Sequence, residues 1–302
     1  MKGWGLGGMA EPRFGPAGNP DSFYRAGYKS STDMPAWLRR LGLTAYEYQC
    51  VRGVHIKEDT ARRLGEAARE HGVALSIHAP YYVNLAATDR TLREKTRGYL
   101  LDSLRAAVWM GATTVVFHPG SPGEDRAAAL ERAARTLREV LDAAGEEGLD
   151  RVALAPETTG KVNQLGSLEE VLALCSLGGN VLPAVDFGHL YARSGGVLAG
   201  KEAFAEVLRA VERHLGRAVL THLHIHFSPV EFGRGGEKRH GTTLDPGLGP
   251  DFTPLAELLV EWGLAPTVIC ESDGRQAEDA LVYRDIYRRM REAGPGGVRG
   301  SP

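Results

Sequence analysis

Side chains able to bind a metal ion recur at the ends of short apolar runs in this chain. They are His78 in VALSIH, His118 in TTVVFH, Glu157 in VALAPE, Asp186 and His189 in LPAVDFGH, His224 in THLHIHF and Glu271 in PTVICE. Imidazole nitrogen and carboxylate oxygen form the donor set used by Zn²⁺ and Mn²⁺, and a carboxylate can bridge two ions. Each run reads as a buried strand that delivers its last side chain to a rim. A single histidine in such a run is more often a hydrogen-bonded core residue. Repetition at strand end after strand end instead implies one shared site, provided the fold gathers those ends.

Two of the segments carry further information. D-F-G-H places Asp186 and His189 three residues apart at a strand-to-helix turn, where both can face one cavity. In THLHIHF, His222, His224 and His226 alternate with Leu223, Ile225 and Phe227, so a period of two puts all three imidazoles on one strand face. His224, the central one, is the expected ligand, with His222 an interior residue and His226 at the rim. His71 and His214 stand near predicted helix C-termini, where an imidazole interacts favourably with the helix dipole, and read as structural.

Apolar runs alternate with helix-period segments along the whole chain. WGLGGM is expected as strand one, with a loop from Pro12 to Pro20. A helix then starts at Thr32 or Asp33, carries Pro35 in its first turn and stops at Gly42. TAYEYQ, VALSIH, TTVVFH, RVALAPE, VLPAVDF, AVLTHLHIHF and PTVICES complete eight strands. Their helices are EDTARRLGEAAREHG, Thr88 to Met110, Arg126 to Ala144, SLEEVLALC capped by Ser167, Lys201 to His214, Phe252 to Trp262 and Gln276 to Glu292. Eight such units fit an α/β protein of the (β/α)₈ TIM barrel class, whose functional residues sit on the loops after the strands. The competing doubly wound sheet would carry a glycine-rich phosphate turn after its first strand, and LGGMAEP matches that poorly. The expected organisation is one barrel domain over residues 1–293, with the metal site at the C-terminal ends of its strands, and a disordered tail over 294–302. The long loops Pro12 to Ser31, Pro80 to Ala87 and Ser228 to Pro250 all fall on the side of the candidate ligands.

Composition excludes several classes. With 36 basic and 38 acidic residues the formal charge is −2, so contact with nucleic acid requires a local patch rather than a global basic field. Three cysteines, Cys50, Cys175 and Cys270, without paired spacing argue for small core residues in a reducing compartment. The N-terminus has no sustained apolar stretch, and no segment approaches the ~18 apolar residues of a membrane span. A cytoplasmic protein without membrane contact is expected.

The segments IHAPYYVNLA, VVFHPGSP, APETTGKVNQLGSLEEV, AVDFGHLYA and ICES, in this order from about Ala74 to Glu271, resemble the endonuclease IV family of apurinic/apyrimidinic endonucleases within the xylose-isomerase-like barrel superfamily. The resemblance implies a metal-dependent hydrolase of DNA repair that cleaves the phosphodiester 5′ to an abasic site, with two or three divalent ions, zinc first and manganese as the alternative. It implies that His78, His118 and Glu157 hold one ion. Glu157 as a bridge, with Asp186, His224 and Glu271, would hold a second, and His189 with His240 a third. Glu157 and Glu271 would be catalytic, and Tyr81 stands where the family places a tyrosine that contacts the lesion-containing DNA.

The chain departs from the family where an Asp-x-His pair is expected, because GEKRHG has Lys238-Arg239-His240 there. A protonated lysine is a poor ligand, so either Glu237 or His226 substitutes, or the Lys238 ammonium itself supplies positive charge near the leaving oxygen. Arg234, Lys238 and Arg239 would form a local phosphate-contact patch. Two other readings stand beside the nuclease. One is a sugar or sugar-phosphate isomerase or epimerase with a single ion on Glu157, Asp186, His224 and Glu271. The other is a non-catalytic DNA- or nucleotide-binding derivative that keeps its metals. His78, His118, His189 and His240 favour the nuclease, because a one-ion enzyme has no use for them.

Overall fold

The computed structural model describes residues 11–178 and 180–294. The WGLGGM segment expected as strand one, and the tail beyond Gly294, lie outside the described residues. In chain order the elements are β1 Arg13–Pro16, α1 Asp21–Arg25, a 3₁₀ turn Ser31–Asp33, α2 Met34–Leu41, β2 Ala45–Gln49, α3 Glu58–His71, β3 Ala74–His78, α4 Arg90–Met110, β4 Thr114–Phe117, α5 Arg126–Glu146, β5 Ala153–Pro156, α6 Leu168–Cys175, β6 Ala184–Asp186, α7 Phe187–Arg193, α8 Gly200–Leu215, α9 Arg217–Leu220, β7 His224–Phe227, β8 Val230–Gly233, β9 Gly236–His240, α10 Thr253–Glu261, β10 Thr267–Cys270 and α11 Gln276–Ala293.

Two four-stranded parallel sheets, β1-β10-β7-β6 and β2-β3-β4-β5, form the cylinder. Parallel bridges Ala17 to Glu47 and Glu157 to Ala184 join them at both seams, so eight strands close into a (β/α)₈ TIM barrel. At the first seam Gly15 allows β1 to press on β2, because a Cβ there would lie 1.8 Å from the carbonyl oxygen of Ala45. Outward residues such as Ile77, Val115, Leu154, Ile225 and Val268 are buried under the helices in one large core. Their inward neighbours form two small apolar clusters, Ala17, Ala45 and Ile269, and Val116, Ala155 and Ala184. The rest of the lining is polar: Glu47, Ser76, His78, Asp186, His224 and His226 are all buried. The period-two alternation thus hands helix packing to one set of residues and chemistry to the other.

Local signals set the helix ends. Gly42, Gly72 and Gly111 take left-handed conformations after α2, α3 and α4, and Ser167 with Glu170 forms a capping box at α6. Three expectations are corrected. The stretch Pro12 to Pro20 is no loop: it contains β1, whose four residues include Gly and Pro and lack a strand signature. AVLTHLHIHF is not one strand, since Arg217–Leu220 is helical and β7 begins only at His224. The span from Ser228 to Pro250 holds an antiparallel hairpin, β8 with β9, irregular between Glu231 and Phe232. All three cysteines are free and buried. No helix among the described residues is long and apolar enough to cross a membrane.

Candidate metal centre

Glu157 ends β5 and is fully buried, its N–H donating to the Phe117 carbonyl at 2.9 Å. Four imidazoles surround its carboxylate. Oε2 lies 3.1 Å from both His78 Nε2 and His118 Nε2, while Oε1 lies 3.2 Å from His189 Nδ1 and 3.2 Å from His226 Nδ1. Three groups of potential ligands meet here, each with one donor atom per residue within 4.8 Å of the others: His78, His118 and Glu157; Glu157, Asp186, His226 and Glu271; and His189, Glu237 and His240. The first two share Glu157. His189 Nδ1 connects the third to them, since it lies against Glu157 while its Nε2 is 3.3 Å from Glu237 Oε2.

Asp186 tests whether cations fit. Its Oδ1 accepts the His189 backbone N–H at 2.7 Å, capping α7, whereas Oδ2 is buried with no hydrogen-bond partner. Such an oxygen loses its hydration without compensation. With one oxygen of Asp186 within 4.8 Å of ligand atoms from Glu157, His226 and Glu271, the residue fits a divalent ion bound by nitrogen and oxygen donors. Glu47, His78, His189, His226, Glu237 and Glu157 therefore crowd one interior in which each charge depends on another.

The charges follow that dependence. Burial alone would raise the Glu157 carboxyl, but His226, His118 and His189 hold it well below the usual range. Burial would lower His78, yet its hydrogen bond to Glu157 and the charges of Glu157, Glu47 and Glu271 lift it to about 9. His189 and His226 are raised in the same way. Glu237, opposed by burial and favoured by His189 and His240, sits at about 2.

The structure relocates several expected residues. His224, chosen from its central place in THLHIHF, is not in the group with Asp186 and Glu271: it sits at the start of β7, one interior layer lower, with Nε2 at 2.9 Å from Glu47. His226, expected at the rim, is completely buried and takes that place. His222 precedes β7 and is exposed rather than interior. Lys238 is outside the cluster, exposed on β9 beside the equally exposed Arg239 and donating to Glu231 at 3.3 Å, whereas Glu237 and His240 on either side of that pair reach the cluster. Arg239 likewise donates to Glu231, at 3.0 Å, and Arg234 is exposed in the hairpin turn. None of Arg234, Lys238 and Arg239 lines the cleft.

Glu237 reaches its place through glycine. Gly236 has φ of +91°, and a Cβ there would lie 2.1 Å from the Gly160 carbonyl oxygen, so only glycine brings β9 this close to the segment after β5. The Glu237 N–H then donates to the same carbonyl at 3.1 Å. His240 completes the group, with Nδ1 2.7 Å from Ser228 Oγ and Nε2 3.6 Å from Glu271 Oε2.

Above the cluster lies a cleft of about 330 Å³ lined by His78, Tyr81, His118, Lys161, Gln164 and the third group. The Tyr81 ring stands 5.6 Å from His78 and 5.7 Å from His118, half exposed. Lys161 is the cation lining this cleft. Two residues escaped the sequence reading. Glu47 sits mid-strand in β2 rather than at a strand end. Lys161 sits in a loop, and its place beside Glu237 depends on the hairpin.

Two outcomes follow. His78, His189 and His226 are raised above the unfolded 6.5, so their contribution to stability is complete below about pH 6.5 and declines as pH rises above it, that of His78 being lost as pH passes through about 9. The melting temperature of the metal-free protein should therefore fall between pH 6.5 and 9; a flat or rising profile contradicts the imidazole–carboxylate pairing. In equilibrium dialysis against zinc, Glu237→Gln should weaken binding of one ion by roughly ten- to hundredfold, the range for loss of a metal-orienting group, while Lys238→Ala should not. Equal effects of the two substitutions would remove Glu237 from the third group.

The comparisons with known proteins agree with this architecture. An uncharacterized protein of Methanocaldococcus jannaschii is 36% identical over 254 residues, covering 84% of this chain and 90% of that protein. Among solved structures, endonuclease IV from Thermus thermophilus superposes with a TM-score of 0.67 at 25% identity, covering 94% of this chain and all of that one. A D-tagatose 3-epimerase-like protein superposes with a TM-score of 0.66 at 20% identity, covering 83% of this chain and 90% of that one, a likeness of fold. With a family model matched over residues 35–293, the chain belongs to the xylose isomerase-like TIM barrel family.

Proposed function

We propose that this protein is a metal-dependent phosphodiesterase of the endonuclease IV type, acting on DNA 5′ to abasic sites. The observation that carries the reading is the extent of the ligand cluster. A single ion needs only Glu157, Asp186, His226 and Glu271, whereas His78, His118, His189, Glu237 and His240 extend the donors into two further groups around the same carboxylate. Two or three divalent ions fit these donors, and the mixture of imidazole and carboxylate suits zinc. Bound there, such ions supply an activated water and neutralise charge on the phosphate oxygens.

The protein's own groups prepare the rest. Glu157 keeps negative charge in the interior and is shared by two groups, and Glu271 links its group to His240 of the third. Lys161 reaches the cleft from the loop after β5 and suits a phosphate oxygen. Tyr81 covers His78 and His118 and limits water access from that side. The rim is suited to nucleic acid through stacking rather than charge. Among the described residues, the exposed apolar side chains of Val51, Tyr81, Tyr82, Val162, Val197 and Leu244 lie outside helices and strands in the segments that follow barrel strands, and Tyr24 lies in the short α1 after β1. Exposed aromatic rings offer faces to unpaired bases, as expected beside a lesion that lacks one.

The four-residue group also suits a sugar isomerase or epimerase with one ion, in which two carboxylates flank a carbonyl substrate. The experiment that separates the two readings is incision of a labelled duplex with one abasic-site analogue by zinc-reconstituted protein, with undamaged duplex and chelator controls. Lesion-dependent cleavage on the 5′ side, lost on chelation and reduced at least about a hundredfold by Glu157→Gln, is the expected result. No incision, together with metal-dependent epimerisation of a ketose, would replace the nuclease with the second reading.

A further inference from the structure

We propose that Glu47 is the positioning residue of the metal centre, fixing His226 so that its Nδ1 faces Glu157, Asp186 and Glu271 as a ligand atom. The inference rests on the metal-centre part of the proposed function and not on DNA as substrate. Glu47 lies in the middle of β2, fully buried one layer below the cluster, and touches none of the three groups except through histidine.

Its hydrogen bonds define the role. Oε2 receives the hydroxyl of Ser76 at 2.9 Å and Nε2 of His224 at 2.9 Å. Oε1 receives the amide of Gln49 at 3.1 Å, and Nε2 of His226 donates to Oε2 at 3.3 Å while lying 3.1 Å from Oε1. Four donors thus converge on this one carboxylate, three of them on Oε2. Although Glu47, His224 and His226 are close enough to hold an ion, the donors already on this carboxylate make it an acceptor that orients the two imidazoles.

The consequence falls on His226. An ionised carboxylate only accepts, so the nitrogen facing Glu47 must carry its proton. With an ion bound in the group the ring is neutral, its one proton stays on the Nε2 that faces Glu47, and the lone pair falls on Nδ1, the atom 3.2 Å from Glu157 Oε1 and 3.5 Å from Glu271 Oε1. A carboxylate behind a histidine fixes both tautomer and ring orientation and raises ligand basicity. The neighbouring strands hold the parts in register: Glu47 pairs with Ser76, and His226 with Asp186 and Ile269. His224 and Ser76 in turn anchor Glu47 from below.

The test measures zinc affinity by chelator competition, and zinc content after dialysis, on the full chain. In Glu47→Gln the amide must turn an N–H toward one donor. Affinity for one ion should fall roughly ten- to hundredfold, with zinc added in excess restoring turnover. Ser76→Ala removes a bond to Glu47 but not the one to His226, and should shift the affinity far less. Nitrogen NMR of the wild-type zinc-loaded protein provides a check that no variant's folding can disturb: His226 should carry its proton on Nε2. Glu47→Gln with wild-type zinc affinity overturns the inference even if its metal-free form melts earlier, and so does a proton on His226 Nδ1. Wild-type protein that retains no ion would overturn the metal-centre reading first, and this inference with it.

Discussion

A carboxylate cannot be buried as an anion without partners, and this barrel buries three of them, Glu47, Glu157 and Asp186, along its axis. Everything in the site follows from how those charges are answered. Glu157 is answered by four imidazoles and Glu47 by two imidazoles, a hydroxyl and an amide, while Asp186 keeps one oxygen unanswered. His78, His189 and His226 bear the complementary cost, since the carboxylates alone hold them above their ordinary protonation range. A closed parallel barrel makes such an interior possible, because helix packing consumes the outward side chains and leaves the inward ones free.

The interior has two layers with different tasks. The upper layer, at the strand ends, presents donor atoms to the cleft. The lower layer, Glu47 with Ser76 and His224, supports the upper one through His226 and is closed by small apolar residues from β1, β2 and β10. The hairpin β8 and β9 adds a wall that the barrel strands themselves do not provide. Its contribution depends on the close approach at Gly236, which moves the third carboxylate to Glu237 and leaves Lys238 in solvent.

Much of this was legible in the sequence, for a physical reason. Buried parallel strands are short apolar runs, and a ligand at the end of each stands out, so His78, His118, Glu157, Asp186, His189 and Glu271 could be found without coordinates. Periodicity carried less far. It places His222, His224 and His226 on one face but does not say where the strand starts, and a start at His224 moves the position beside Glu157 and Asp186 two residues on, to His226. Glu47 was hidden because it is polar in mid-strand, where TAYEYQ reads as an edge pattern; the unanswered histidines of THLHIHF were the only hint that a buried anion must exist. Glu237 against Lys238 depends on hairpin register, which an irregularity between Glu231 and Phe232 sets and no local spacing reveals. β1 was missed because Gly15 is required by contact with Ala45, not by strand propensity.

The central claim is that the donors form three connected ion sites around Glu157. Anomalous scattering at the zinc edge, from crystals grown with zinc, tests it most directly. Three peaks per chain are expected: one among His78, His118 and Glu157, one among Glu157, Asp186, His226 and Glu271, and one among His189, Glu237 and His240. A single peak, confined to the group containing Asp186, would contradict it.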